Sequence, residues 1–271
     1  MKRIVASVLA LAALQGCSGA QFALPQLSDA GISRAALAVP GDASALPSYE
    51  RTNKEYDDIK TRVDYRLSSA APALCARAKV SRCAWSIRFV YVDMVNAYAS
   101  GADEIEVYRG LLKHLKTEDE IAAVIAHEIG HHLAEHIEER QDNALIGAII
   151  AGIVTGASVA IAGYQTSSHD PIAAQWLVSE SMQVGAAVGA ISYSKKQERE
   201  ADLLGAYLIA RAGYDLRAAG NVYKVIVQMN SGHTSRWFDT HPAGPERIAA
   251  WDKVIAEIEA SPDKLPKEDG D

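Results

Sequence analysis

The chain has 271 residues, of which 49% are hydrophobic, and its formal net charge is −7. This length suits one large domain or one domain with appendages, and the hydrophobic content supports a real core. No basic patch or interleaving of basic and aromatic residues occurs, so we expect no nucleic-acid partner.

Residues 1–16 have the pattern of a secretory signal peptide, with a basic start and an apolar run from Ile4 to Leu14. The next residues, Leu14-Gln15-Gly16-Cys17, resemble a bacterial lipobox. We therefore predict cleavage before Cys17 and acylation of that cysteine, which would anchor the chain in lipid. Ser18 after the cysteine favours the outer membrane and a periplasm-facing position. The alternative is ordinary secretion as a soluble periplasmic protein.

Residues 17–48 are rich in Ala, Ser, Gly and Pro, which predicts a flexible tether between the lipid and the domain. A helix is predicted near Tyr49–Ser68, because apolar residues recur on one face. With Cys17 lipidated, two cysteines are left, Cys75 and Cys83. An oxidising compartment favours a disulfide between them, and two reduced, buried thiols are the alternative.

Two short strands are predicted next, at Ser86–Val92 and Glu104–Tyr108. We expect them to form a small antiparallel sheet within a mainly helical α+β fold. The second strand alternates apolar Ile105 and Val107 with polar Glu106 and Tyr108. We expect it to be an edge strand that pairs with an extended peptide backbone.

The segment His127-Glu128-Ile129-Gly130-His131 has the H-E-x-x-H pattern of zinc peptidases. Thr117 and Glu120 form a predicted capping box, so we expect a helix from about Glu118 to Glu139. Histidines four residues apart share one helix face, where both can reach one metal ion. The intervening glutamate is then placed to accept a proton from a metal-bound water. The alternative is a solvated helix that merely carries histidines.

A catalytic zinc site needs a third protein ligand. Glu135 is excluded, because it would lie about 12 Å along the helix axis from His127. Glu198 and Asp202 share a face of a later predicted helix, so one can bind the metal while the other orients a histidine. An exposed helical charge is the alternative for Glu198. Glu200 is predicted to point away and to be solvated.

The uncharged stretch from Ala144 to Gly163 has the length of a membrane span, and a second apolar stretch covers Val184–Ile191. Alanine and glycine dominate both. We therefore favour a packed helical hairpin or plug over the active site, at residues 144–193, and keep a membrane span as the alternative. The C-terminal part is expected to hold two more helices and a polar tail, near Leu216–Met229, near Pro245–Ala260 and at 261–271.

In this order, H-E-x-x-H followed by E-x-x-x-D resembles the gluzincin branch of the zinc metallopeptidases. More narrowly, the chain resembles the HtpX-like and CAAX-prenyl-protease family, especially its periplasmic members, over roughly residues 50–255. The other matching stretches are Asn96-Ala97-Tyr98-Ala99, Ile105 to Leu112, Glu120 to His136, and Phe238-Asp239-Thr240-His241-Pro242 followed by Arg247.

The resemblance implies a zincin-like metallopeptidase domain at residues 49–260 that binds one zinc ion. The implied roles are zinc ligation by His127, His131 and Glu198, general base and proton donor for Glu128, and support of the ligands by Asp202. Asn96 would belong to the strand region that binds substrate.

His241 and Arg247 would lie near the metal and hold the substrate or the oxyanion. In some periplasmic relatives, the histidine that matches His241 is thought to approach the zinc and keep the enzyme latent. From the residues alone, His241 reads as a histidine that caps a turn before Pro242.

The function implied is hydrolysis of peptide bonds in unfolded or misassembled proteins of the periplasm, as part of envelope quality control. The alternative is a chaperone-like outer-membrane assembly factor that uses the same cleft and cleaves little. The presence of Glu128 favours the enzyme, because a binding protein has no need of a general base. A purely structural zinc protein fits poorly with an open three-ligand site.

Overall fold

The computed structural model describes residues 21–39, 46–100, 103–145, 179, 192–231, 241–261 and 263–270. The predicted signal peptide at 1–16, the predicted lipidation site Cys17 and most of the predicted hairpin at 144–193 lie outside them. A further helical segment, to which we give no number, covers residues 136–145. The labelled elements are α1 (Asp29–Leu37), α2 (Asn53–Ala70), α3 (Pro72–Ala78), β1 (Ser86–Val90), β2 (Ala97–Ala99), β3 (Glu104–Tyr108), α4 (Arg109–Leu112), α5 (Glu118–Leu133), α6 (Lys195–Arg211), α7 (Leu216–Ala219), α8 (Asn221–Ser231) and α9 (Pro245–Ala260).

The mainly helical α+β class is confirmed, and α2 illustrates why the sequence predicts it well. Thr52 closes a capping box at its start. Four apolar side chains on one face of this helix enter the common core: Tyr56, Ile59, Val63 and Leu67. The helical period read from the sequence therefore marks the buried face correctly.

The sheet has the strand order β1-β3-β2 and is mixed. β3 pairs with β1 in parallel, with Ser86 opposite Glu104, and with β2 in antiparallel, with Ala97 opposite Val107. The predicted antiparallel pairing of the first and last strands is therefore wrong. The reason is the extra strand β2, which forms a hairpin with β3 and leaves β1 to pair on the other side.

This topology also corrects the predicted edge strand. Residues Ile105, Glu106, Val107 and Tyr108 lie in the middle strand, where both sides are paired. They cannot add a further strand. Of the predicted residues, Asn96 alone stays at an outer strand, since it directly precedes β2 and its carbonyl accepts a hydrogen bond from Tyr108 N at 3.0 Å.

Helix α5 carries the H-E-x-x-H segment and begins with the predicted capping box of Thr117 and Glu120. It ends at Leu133 rather than at Glu139. Glu135 has a φ of 55°, in the left-handed region, and the chain turns there before the helical segment 136–145 begins. Glu135 is exposed, and its exclusion from the metal ligands is supported by this turn as well as by its distance.

Helices α5 and α6 approach each other unusually closely, because small residues line their contact. A Cβ atom on Gly130 would lie 2.4 Å from the carbonyl oxygen of Ala201, and one on Gly205 would lie 3.0 Å from that of Ala126. Neither position can accept a larger side chain without a backbone shift. The glycine of the H-E-x-x-H segment thus sets the distance between the helices.

The N-terminal segment and the C-terminal tail pack on the domain. Phe22 is buried and forms an isolated antiparallel bridge with Glu268. Ala23 N donates to Lys267 O at 3.0 Å, and Asp269 N donates to Gln21 O at 2.9 Å. The expected flexible tether at 17–48 and frayed tail at 261–271 therefore contain ordered, docked backbone, and the tether region also forms α1.

Cys75 and Cys83 form a disulfide with a Cα–Cα distance of 5.9 Å, which is the pairing favoured from their spacing. It ties the middle of α3 to the chain that enters β1. Among the described residues, no helix is both long and apolar enough to cross a membrane.

Replacement of Gly130 by Ala is expected to lower the free energy of unfolding by about 1–3 kcal/mol, because the added methyl meets backbone atoms of α6. Urea unfolding of the metal-free protein measures this change. Gly31→Ala in α1 is the control, since its added Cβ meets only the Ser28 hydroxyl oxygen, at 3.3 Å. Equal stability of the two variants would contradict the close helix contact.

Candidate metal centre

The two histidines of α5 project from one helix face, as their spacing predicts. His127 and His131 are both buried, and their Nε2 atoms lie 3.1 Å apart. Burial lowers the pKa of His131 well below its usual value, so this imidazole is neutral and offers a lone pair. Two imidazoles whose Nε2 atoms point to one place form half of a typical metal site.

The third donor comes from α6. Glu198 is fully buried, with Oε1 at 3.3 Å from His131 Nε2 and Oε2 at 3.6 Å from His127 Nε2. The closely packed helices α5 and α6 make this approach possible. The exposed-charge interpretation of Glu198 is therefore wrong.

His241 completes a cluster of four donors. Together with His127, His131 and Glu198, it offers ligand atoms that all lie within 4.8 Å of one another. Its Nδ1 lies 3.0 Å from Glu198 Oε1 and 3.3 Å from His127 Nε2. Four ligands around a tetrahedral zinc lie roughly 3.3 Å apart, given zinc–ligand distances of ~2.0–2.1 Å. The spacing of the donors therefore fits the predicted zinc.

Asp202 and Arg247 support this cluster through His127 Nδ1 and Glu198 Oε2. Asp202 Oδ1 lies 2.8 Å from His127 Nδ1 and also accepts a hydrogen bond from the Tyr223 hydroxyl at 2.8 Å. Arg247 donates to both oxygens of Asp202, at 2.7 and 2.8 Å, and its Nη1 lies 2.7 Å from Glu198 Oε2. These contacts fix the orientation of His127 and hold two carboxylates in place.

The charges of the cluster keep its carboxylates ionised. Burial favours the neutral form of Glu198, but the positive charges of His241 and Arg247 hold its pKa well below the usual range. Burial likewise opposes ionisation of Asp202, and the charge of Arg247 is the main influence that lowers its pKa. The site thus offers ionised oxygen donors at neutral pH.

Glu128 is also fully buried, and neither of its carboxylate oxygens has a hydrogen-bond partner among the described residues. An ionisable neighbour is His241, whose Nε2 lies 3.8 Å from Glu128 Oε1. A buried carboxylate without hydrogen bonds is costly, and such groups concentrate at functional sites. A water held beside the donor cluster would give this carboxylate a partner, so the residues present fit a catalytic metal as well as a structural one.

The sequence did not assign three further buried residues to this site: Tyr193, His136 and Glu200. The ring of Tyr193 stacks on that of His131 at 3.8 Å. His136 Nδ1 lies 3.0 Å from His131 Nδ1, and His136 Nε2 lies 3.3 Å from Glu200 Oε2. Glu200 is buried, which corrects the expectation that it is solvated. The signal in the sequence that could have pointed to these residues is the further histidine, His136, five residues after His131.

A comparison with known families finds one match that covers most of the chain. The model of Peptidase family M48 matches residues 61–255. That range contains the four donors, Glu128, Asp202 and Arg247.

Curated relatives agree with this match. The chain is 28% identical over 233 residues to the mitochondrial metalloendopeptidase OMA1 of Arabidopsis thaliana, covering 86% of this chain and 44% of that protein. It is 24% identical over 219 residues to the human mitochondrial metalloendopeptidase OMA1, covering 76% and 41%. It is 26% identical over 244 residues to the beta-barrel assembly-enhancing protease of Yersinia pestis, covering 87% and 48%. The chain spans less than half the length of each of these relatives.

Arg247→Met is expected to destabilise the metal-free protein by about 3–5 kcal/mol, because it leaves two buried carboxylates without their shared cation. Urea unfolding measures the loss. The control is Arg217→Met, which removes an exposed ion pair with Glu259 and should cost no more than about 1 kcal/mol. Similar losses in both variants would show that Arg247 is not essential to the cluster.

Proposed function

The chain belongs to Peptidase family M48, and on that basis we propose that it is a zinc-dependent endopeptidase that cleaves unfolded or misassembled proteins in the bacterial periplasm. The observation that carries the proposal is the pairing of a converging donor set with the buried carboxylate of Glu128. A metal site without a base would suit a structural role. Here the base lies on the same helix as two of the ligands.

The residues divide the chemistry between them. His127, His131 and Glu198 would hold the zinc ion, which would supply Lewis acidity and lower the pKa of a water molecule toward neutrality. Glu128 accepts that proton and later delivers it to the leaving amine. Asp202 keeps His127 oriented throughout, so the ligand geometry does not depend on the substrate.

Substrate would bind along β2 rather than β3. Asn96 O and Ser100 N are hydrogen-bonded to β3, at 3.0 and 2.9 Å. Because hydrogen bonding alternates along an antiparallel strand, the peptide groups of Ala97 and Ala99 face the outer side. An extended peptide that adds a strand there is recognised through its backbone, which favours broad specificity among unfolded chains.

The proposed location is the periplasmic face of the outer membrane, with Cys17 as the lipid anchor. The Cys75–Cys83 disulfide supports an oxidising compartment, because such bonds are rare in the cytosol. The partners proposed are unfolded proteins and the lipid that holds the acylated cysteine.

A second candidate function is favoured by the position of His241. Its Nδ1 lies 3.0 Å from Glu198 Oε1 and 3.3 Å from His127 Nε2, so it could fill the fourth position that a catalytic zinc site usually keeps open. If His241 stayed there, the chain would bind clients and cleave little, as a chaperone-like assembly factor. We propose instead that His241 is a displaceable fourth ligand of a latent peptidase.

Glu128→Gln is expected to lower the rate of casein cleavage by a factor of about 10²–10⁴, since it removes the general base. The variant should retain one zinc per chain by metal analysis. Glu138→Gln, an exposed residue of the helical segment 136–145, is the control and should cleave at the unsubstituted rate. A zinc-loaded Glu128→Gln variant that cleaves as fast as the control would refute the proposed mechanism.

His241→Ala is expected to increase casein cleavage several-fold at unchanged zinc content, because it removes the fourth donor and opens a coordination position. His114→Ala, whose imidazole contacts the Pro47 carbonyl away from the cluster, is the control. Reduced cleavage with zinc retained would show that His241 acts on the oxyanion instead. Absence of cleavage in every variant, with suppression of client aggregation, would establish the second candidate.

A further inference from the structure

We propose that His136 and Glu200 are positioning residues for the metal ligand His131, and that they connect the metal site to the N-terminal segment at Gln21 and Phe22. The inference rests on the zinc-binding part of the proposed function. It does not require that the chain cleave peptides.

The contacts form one continuous chain of hydrogen bonds. His131 Nδ1 lies 3.0 Å from His136 Nδ1, and His136 Nε2 lies 3.3 Å from Glu200 Oε2. The other oxygen of Glu200 accepts from the backbone N–H of Gln21 at 2.5 Å and of Phe22 at 3.0 Å. The side chains of His136 and Glu200 are each only 3% exposed, so solvent contributes little to these contacts.

Metal binding would determine the direction of the two histidine bonds in this chain, from His131 to His136 and from His136 to Glu200. His131 Nε2 faces the donor cluster, 3.3 Å from Glu198 Oε1, so it must be unprotonated to bind a metal. Its proton then sits on Nδ1 and is donated to His136 Nδ1. His136 must therefore carry its own proton on Nε2, which it donates to Glu200. Each donor then has an acceptor, and no two protons conflict.

The two histidine ligands of α5 are thus supported in different ways. His127 is oriented directly by Asp202, at 2.8 Å. His131 has His136 as its neighbour, and the carboxylate of Glu200 is one step further away. Glu198, Glu200 and Asp202 all come from the same two turns of α6, so one helix supplies a ligand and the carboxylate that supports each histidine.

The end of α5 makes the indirect support possible. The helix stops at Leu133, and the left-handed turn at Glu135 brings His136 back beside His131. The side chain of Gln21 donates to the carbonyl of Ala134 at 3.3 Å, within the same turn. The N-terminal segment therefore contacts both the turn and Glu200.

Because Glu200 serves both partners, metal binding and docking of the N-terminal segment should favour each other. A metal at His131 would fix the tautomer of His136, whose Nε2 proton then holds Glu200 Oε2 in place. The other oxygen, Oε1, accepts the two backbone N–H groups of Gln21 and Phe22. By reciprocity, whatever free energy docking adds to metal binding, metal binding adds to docking.

The first experiment measures zinc affinity by competition with a chelator. His136→Phe removes the acceptor for His131 and should weaken zinc binding about 10–100-fold. His136→Asn keeps an acceptor near the Nδ1 position and should recover most of that loss. Glu200→Gln should weaken binding, whereas Glu138→Gln, the exposed control, should not.

The result decides the proposal in either direction. Unchanged zinc affinity in His136→Phe, or equal losses in the Phe and Asn variants, would overturn it. Thermal unfolding of the metal-free variants separates loss of affinity from loss of fold, and if His136→Phe does not fold, His136→Asn and Glu200→Gln decide. A chain that binds no zinc at all would instead refute the proposed function.

Hydrogen exchange tests the connection to the N-terminus in the full chain. Zinc should slow exchange in the peptide that contains Gln21 and Phe22 in the unsubstituted protein. The effect should be lost in Glu200→Gln and retained in Glu138→Gln. Equal exchange with and without zinc in the unsubstituted protein would overturn the proposed connection.

Discussion

The close contact between α5 and α6 is the constraint on which the rest of the structure depends. Because Gly130 has no Cβ atom, the backbone of Ala201 can lie against the H-E-x-x-H helix. The two helices are then close enough for a short side chain of one to reach the other. That approach brings Glu198 and Asp202 to the two histidines, one as a donor and the other as a support. The glycine therefore sets the geometry of the donor cluster, although it contributes no donor.

Burial of charge is the second constraint, and it explains why the site is a network rather than a list of ligands. Glu128, Glu198 and Asp202 are all buried, and the buried guanidinium of Arg247 contacts two of them. An isolated buried carboxylate is expensive, so each must gain a partner or a metal. Glu128 is the exception among the described residues, and the proposed mechanism accounts for it, because a base engaged in strong hydrogen bonds could not accept a proton readily.

Much of the site could be predicted from the sequence because its signals are local. Spacings of three and four residues decide which side chains share a helix face, and capping boxes mark where α5 begins. These rules bring His127 and His131 together, reject Glu135 and place Glu198 and Asp202 on one face. Spacing alone does not decide which of the two carboxylates binds the metal. The resemblance to a family, not the helix geometry, predicts Glu198 as the ligand and Asp202 as its support.

The failures share the opposite cause, since each depends on a partner that is remote in sequence. The middle position of β3 follows from β2, a three-residue strand too short to have a clear period. Glu200 looks solvated when α6 is considered alone, because it turns away from the face of Glu198. It is buried because the N-terminal segment, which by composition resembles a linker, covers that second face. A helix between two partners has no solvated face, and its periodicity alone cannot show that.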